Sequence, residues 1–199
     1  MIKAVIFDVG GVLVNASPVF DEIVGEFHLD KNKAAHDYEK IIRKHEKGLI
    51  DEKTFWKILK KKFRISKPIP NPSPLINRYR KEIKIDHNIL RIALALKEKG
   101  YRTAVLSNVV PTHASYLKGL GLYKHFDIAI LSHKEGLLKP DPKIFKLAAR
   151  KLNVLPRECL FIDDVEAYMK GAERTGMKGI RFVNAKKLEK DIAQILASA

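Results

Sequence analysis

The sequence predicts an α/β fold: a doubly wound parallel sheet of five strands, with a helical bundle inserted after the first strand. Three observations carry this. Five short apolar runs recur along the chain, rich in β-branched residues and bounded by turn or polar residues. From Asp86 onward these runs alternate with segments of helical periodicity, the pattern of βαβ units. Between the first run and the second, residues 15–85 show caps and helical spacing but no strand pattern. The expected division is a core of residues 1–14 and 86–199 and a helical insert of residues 15–85.

The first strand is IKAVIFD, residues 2–8, short and apolar and closed by Asp-Val-Gly-Gly. Ser17-Pro18 then reads as a helix start, a cap followed by proline at the first position, with a helix to about His28. Asp30 caps a second helix to about Lys47, with Tyr38, Ile41, Ile42 and His45 on one face and Gly48 as its stop. Asp51 caps a third, where Phe55, Ile58, Leu59 and Phe63 have amphipathic spacing. KPIPNPSP, residues 67–74, holds four prolines and reads as a connector, followed by a short fourth helix. In the core, a helix over 87–99 ends at Gly100 and precedes strand YRTAVLS, residues 101–107. A helix over 111–118, strand FDIAIL, a loop and a helix over 142–152 come next. Strand CLFID, residues 159–163, a helix over 165–175, strand KGIRFV, residues 178–183, and a helix over 186–197 complete a Rossmann-like pattern.

Composition narrows the classes of function. One cysteine, Cys159, excludes an internal disulfide. No apolar run reaches the roughly 18 residues of a membrane span, and MIKAVIFDVGGVLV is a poor signal peptide. A soluble cytoplasmic protein is expected. The formal net charge is +15, and residues 31–91 hold 18 Lys/Arg against 7 Asp/Glu. Such a field favours an anionic substrate. Nucleic acid is not the expected partner, because no finger or RNP-like signature accompanies the charge. Phe55, Trp56 and Phe63 read as core of the insert rather than as an interface, so no oligomeric state is implied.

Ligands of open parallel sheets bind at the carboxyl ends of the strands. The first strand ends at Asp8, the second in Ser107-Asn108 and the fourth in Asp163-Asp164. Lys139 lies in the loop after the third. Each taken alone is weak evidence, since strand ends are often polar, but an acidic pair closing an apolar strand asks for a cation. Four blocks, FDVGGVLV, VLSN, LLKPDPKIF and FIDDVEAYMKGAERTGM, together resemble the haloacid dehalogenase (HAD)-like hydrolase superfamily. The insert sits where that family places its cap. GLIDEKTFWKIL resembles cap segments of the subgroup with sugar-phosphate phosphatases and the N-terminal phosphatase domain of soluble epoxide hydrolase.

The resemblance implies a Mg²⁺-dependent phosphatase acting on a small phosphorylated metabolite. Asp8 would attack phosphorus and form an aspartyl-phosphate. Asp8, the Gly10 carbonyl and Asp164 would hold Mg²⁺, with Asp163 behind them or as an alternative ligand. Lys139 would neutralise Asp8 and the phosphoryl oxygens, and Ser107 with the Asn108 amide would cradle those oxygens.

Two residues depart from the family pattern. Gly10 replaces the second aspartate, which moves the proton of the leaving group, so general acid–base catalysis worth about 10²–10⁴-fold is missing at that position. Some members of the subgroup resembled also have glycine there. Tyr168 stands where Asn or Asp is usual and would remove a hydrogen-bond partner of the site. His113 is a substitute proton donor by its place after Ser107-Asn108, and Asn15 a residue able to orient water. The alternatives are a 2-haloacid dehalogenase and a degenerate protein that binds a phosphorylated ligand without turnover. Dehalogenases also lack the second aspartate but carry no such acidic pair and have an aromatic at the position of Gly10. A receiver-type domain is excluded by chain order, since its acidic pair lies on the first strand.

Overall fold

The computed structural model describes residues 1–15 and 19–197. The helix start expected at Ser17-Pro18 lies outside the described residues. Five parallel strands run β1 (Ala4–Phe7), β2 (Arg102–Ser107), β3 (Ile128–Leu131), β4 (Cys159–Asp163) and β5 (Lys178–Arg181). Their order across the sheet is β3-β2-β1-β4-β5, so β1 is central and the direction of winding reverses beside it. Phe7 pairs with Val105 on one side and Ile162 on the other, which brings the ends of β1, β2 and β4 level.

The period of two in each strand sorts side chains to two cores. Val5, Phe7, Val105, Leu160 and Ile162 face one way, packed with Ile89, Ile92 and Leu96 of α5 (His87–Glu98) and Leu188 and Ile192 of α10 (Ala185–Ala197). Ala4, Ile6, Ala104, Leu106 and Phe161 face the other way, against Ile144, Phe145 and Ala148 of α8 (Pro142–Lys151) and Ala172 of α9 (Glu166–Glu173). Helices cover both faces, which is why the strands read as continuous apolar runs. Among the described residues no helix is long and apolar enough to cross a membrane.

Among the described residues, four helices lie between β1 and α5: α1 (Val19–Glu26), α2 (Lys31–Glu46), α3 (Glu52–Phe63) and α4 (Pro74–Glu82). The expected caps are present, Asp30 accepting from the Lys33 amide and Asp51 from the Thr54 amide at 2.7 Å. Ile23, Phe55, Leu59 and Leu75 are buried between these helices. After β2 comes α6 (Pro111–Gly119), and after β3 a single turn, α7 (Ser132–Glu135), in a stretch expected to be loop. Gly136 closes that turn with φ +67°.

The two connections to the helical segment are tied to each other. Val14 and Ile85 form an antiparallel bridge, and the Asp86 amide donates to the Leu13 carbonyl at 2.9 Å. Asn15 completes the tie: its Nδ2 donates to the Glu82 carbonyl at 3.0 Å and its Oδ1 accepts from the Lys84 amide at 2.6 Å. Asn15 therefore has a joint to hold, and both ends of its amide are used there. The expectation that it orients water is corrected by this geometry.

Candidate active site

The carboxyl ends of β1 and β4 adjoin, and this brings Asp8 and Asp163 together. The loop after β3 supplies Lys139 between them, its Nζ 2.8 Å from Asp8 Oδ1 and 2.6 Å from Asp163 Oδ2. Lys139 is 1% exposed and Asp163 is fully buried, so these ions are paired with little help from water. Burial disfavours charge on Lys139, but Asp8 and Asp163 outweigh it and hold the ammonium above the usual lysine range. Burial pushes Asp8 up to about 7; Lys139 opposes this and Asp163 adds to it.

Asp163 and Asp164 are not equivalent. Asp163 spends one oxygen on Lys139 and the other on the Val165 amide at 2.8 Å. Asp164 is half-buried, and burial first and Asp163 second raise its carboxyl above the usual range. One carboxylate oxygen from each of Asp8, Asp163 and Asp164 lies within 4.8 Å of the others. The formal charge of this group with Lys139 is −2, counting three acids and one ammonium.

The two glycines of FDVGGVLV divide cleanly. Gly11 has φ +80°, and a Cβ there would stand 2.4 Å from Asp164 Oδ2. Only glycine lets this turn pass under the acidic pair. Gly10 has no such constraint: a Cβ there would meet nothing within 4 Å. The position where an aspartate is missing is thus open space, and the backbone does not demand glycine.

Ser107 is 4% exposed, and its hydroxyl has only a 3.5 Å contact to the Asn108 carbonyl, which leaves it available to a ligand. The Asn108 side chain is employed otherwise. Its Oδ1 accepts from the Lys139 amide at 2.9 Å and its Nδ2 donates to the Lys139 carbonyl at 3.0 Å, clamping that residue's backbone. Tyr168 is the second correction. It supplies a hydrogen-bond partner of its own: its hydroxyl accepts from Asn108 Nδ2 at 3.4 Å and its ring lies 4.8 Å from the Lys139 ammonium, with Phe161 at 5.4 Å.

His113 is the third correction. Its Nε2 bonds the Leu75 carbonyl of α4 and its ring stacks on Tyr79, with centroids 3.8 Å apart. Burial lowers it to about 4 despite that bond, so at neutral pH it is the uncharged imidazole and its Nε2–H is held by the Leu75 carbonyl. It joins α6 to α4 instead. Nearby, Glu52 of α3 accepts from Ser73, Thr112 and Trp56, the Trp56 bond being 3.2 Å. Burial opposes its charge, but these donors outweigh burial and hold the carboxyl below its usual range.

One acid over this end of the sheet had no signal in the sequence. Glu46, the last residue of α2, is half-buried. Burial pushes it up to about 7, against the fields of Arg43 and Lys139. A glutamate between His45 and Lys47 at a helix end reads as a solvated surface residue. Only the crossing of α2 over α7 puts it elsewhere.

The profile of the family described as haloacid dehalogenase-like hydrolase matches residues 2–176. A bifunctional epoxide hydrolase 2 of Sus scrofa is 36% identical over 104 residues, which are 50% of this chain and 19% of that protein. A glyceraldehyde 3-phosphate phosphatase of Methanopyrus kandleri is 33% identical over 101 residues, 50% of this chain and 43% of that protein. The chain therefore spans less than half the length of both. A HAD family enzyme of Bacteroides thetaiotaomicron, solved in complex with magnesium and inorganic phosphate, superposes with a TM-score of 0.75 at 23% identity, covering 94% of this chain and 99% of the other. At that identity the likeness speaks for the fold.

Proposed function

The chain belongs to the haloacid dehalogenase-like hydrolases, and from that premise we propose that it is a Mg²⁺-dependent phosphatase of a small phosphorylated metabolite, with Asp8 as nucleophile. The observation that carries this reading is the convergence of Asp8, Asp163 and Asp164 within 4.8 Å around the buried Lys139 ammonium. The donor set fits the metal. Mg²⁺ takes hard oxygens in an octahedron whose opposite corners are about 4 Å apart. A divalent cation also cancels the formal charge of −2 and would return Asp8 to its ionised form.

Asp8, Asp164 and the Gly10 carbonyl are the ligands in this reading, with Asp163 fixed behind them by Lys139 and the Val165 amide. When bound, Mg²⁺ would screen the repulsion between Asp8 and the phosphoryl oxygens. The protein's own groups do the rest. An Asp8 oxygen attacks phosphorus, the ester oxygen leaves, and water then releases phosphate from the aspartyl-phosphate. Lys139 offsets charge on Asp8 and on the phosphoryl group, and the free Ser107 hydroxyl donates to a phosphoryl oxygen. Residues 15–85 form the cap over this crevice and residues 1–14 and 86–199 the catalytic core. The ties at Val14–Ile85 and at Asn15 support that boundary.

The test is an assay of p-nitrophenyl phosphate and a panel of sugar phosphates with and without Mg²⁺, using Asp8→Asn as control. Turnover that needs Mg²⁺ and falls by about 10³-fold or more in Asp8→Asn is expected. Turnover that persists in EDTA or survives Asp8→Asn would sink the mechanism. Chloride release from a 2-haloacid would replace it with a dehalogenase.

A further inference from the structure

We propose that Glu46 is the proton carrier of this site, taking the place of the acid that Gly10 cannot supply, and that it acts on esters with poor leaving groups such as sugar alcohols. The proposal rests on the phosphatase reading and adds the residue that reading lacks.

The placement comes from three contacts at the end of α2. The Ser132 hydroxyl donates to the Glu46 carbonyl at 2.6 Å and accepts from the Val109 amide at 2.9 Å. The backbone of Glu46 is thereby fixed one hydroxyl away from the residue that follows Asn108. Gly48, with φ +69°, lets the chain turn against α7, since a Cβ there would lie 2.3 Å from the His133 carbonyl. His133 Nδ1 in turn sits 3.2 Å from the Val109 carbonyl. The end of α2 is therefore seated on the loops after β2 and β3, at the same end of the sheet as Ser107, Asn108 and Lys139.

The carboxyl is held in a state that suits the task. It is half-buried and makes no hydrogen bond or ion pair among the described residues. It lies in the field of the Lys139 ammonium, and Tyr168 beneath that ammonium feels its charge in turn. The other charges acting on it are Arg43 and Glu39 of its own helix. On the elements packed against α2, α7 carries His133, Lys134 and Glu135, the last paired with Lys151; α1 carries Asp21, Glu22 and Glu26; and α3 carries Glu52, already engaged by three donors, and Lys53, Lys57, Lys60, Lys61 and Lys62. A carboxyl raised to about 7 keeps a proton near neutrality and releases it without a large penalty.

The step balances. An Asp8 oxygen forms a bond to phosphorus as the bond from phosphorus to the ester oxygen breaks. The leaving oxygen takes the Glu46 proton and departs as the alcohol. Water then attacks the aspartyl-phosphate, gives one proton to the Glu46 carboxylate and keeps the other on phosphate, and Asp8 is released. No further reactant is needed.

The experiment compares wild type with Glu46→Gln on p-nitrophenyl phosphate and on glycerol phosphate, at saturating Mg²⁺ across pH 5–9. Glu46→Gln should lose about 10²–10⁴-fold in kcat on glycerol phosphate and far less on p-nitrophenyl phosphate, whose leaving group needs little protonation. Wild-type kcat on glycerol phosphate should fall as pH rises through the Glu46 pKa, and the variant should lack that limb. Adding Gly10→Asp to Glu46→Gln should restore turnover on glycerol phosphate. Equal losses on both esters, or an unchanged alkaline limb, would overturn the role of Glu46 alone. A wild type that hydrolyses neither ester would overturn the phosphatase reading and this one with it. The Mg²⁺-induced rise in Tm, compared between the two proteins, separates a chemical loss from a damaged fold, which would lower it in the variant.

Discussion

The strand ends and the helical insert present polar groups at the same end of the sheet, but they hold them by different means. At the strand ends Asp8, Lys139 and Asp163 form an ion network with almost no solvent contact, fixed by sheet register and by the Asn108 clamp. The helical segment meets the rest through separate hydrogen bonds at its margin, among them Thr112 to Glu52, His113 to the Leu75 carbonyl, and Ser132 to the Glu46 carbonyl. The first arrangement is rigid and sensitive to any single loss, because a buried charge left unpaired costs several kcal/mol. The second distributes its cost over several bonds, each worth about 1 kcal/mol. In the proposed reading the first arrangement suits a nucleophile and its metal ligands, and the second a segment that meets varied substrates.

The largest effect expected from breaking this contrast is at Lys139. Lys139→Met leaves Asp8 and Asp163 facing each other without a cation and should cost about 3 kcal/mol or more in urea unfolding without Mg²⁺. Added Mg²⁺ should recover part of that loss. A variant as stable as wild type would show that the network is not the rigid element described.

The glycine pair comes next. Gly11→Ala places a side chain in a left-handed conformation and against Asp164, and should cost about 1–2 kcal/mol and most of the Mg²⁺ response. Gly10→Ala should stay within about 0.5 kcal/mol of wild type. Similar losses in the two would contradict the division of roles.

The smallest effect belongs to the margin of the insert. Glu52→Gln weakens the acceptor shared by Ser73, Thr112 and Trp56 and should cost about 1 kcal/mol, with a larger change in KM than in kcat. Because the native Glu52 pKa lies below its unfolded value, its contribution is present above the usual carboxylate range and disappears as pH falls through the depressed value. Thermal unfolding of wild type and Glu52→Gln should therefore converge in acid. A gap that stays constant down to pH 3 would assign the loss to something other than charge.

Much of the core was legible from the chain. The apolar runs and the acidic, hydroxyl and lysine residues at strand ends announced the parallel sheet and the convergence of Asp8, Lys139 and Asp163-Asp164, because strand register carries local sequence into space directly. What failed to show lies where one element crosses another. His113 and Asn15 read as site residues by their nearness in sequence, yet both bind the helical segment's backbone. Tyr168 read as a loss by its position in a motif, although its ring supports the lysine. Glu46 gave no signal, since its surroundings come from α7 and the Lys139 loop, far away in the chain. Residue type and spacing encode strand ends well and helix crossings poorly.

The most direct test of the central claim is to stop a single turnover with acid and locate phosphate on the protein. With Mg²⁺ and p-nitrophenyl phosphate, the peptide containing Asp8 should carry one phosphoryl group, absent in Asp8→Asn and lost with time at neutral pH. Phosphate on another residue, or steady turnover with Asp8 never labelled, would contradict the account.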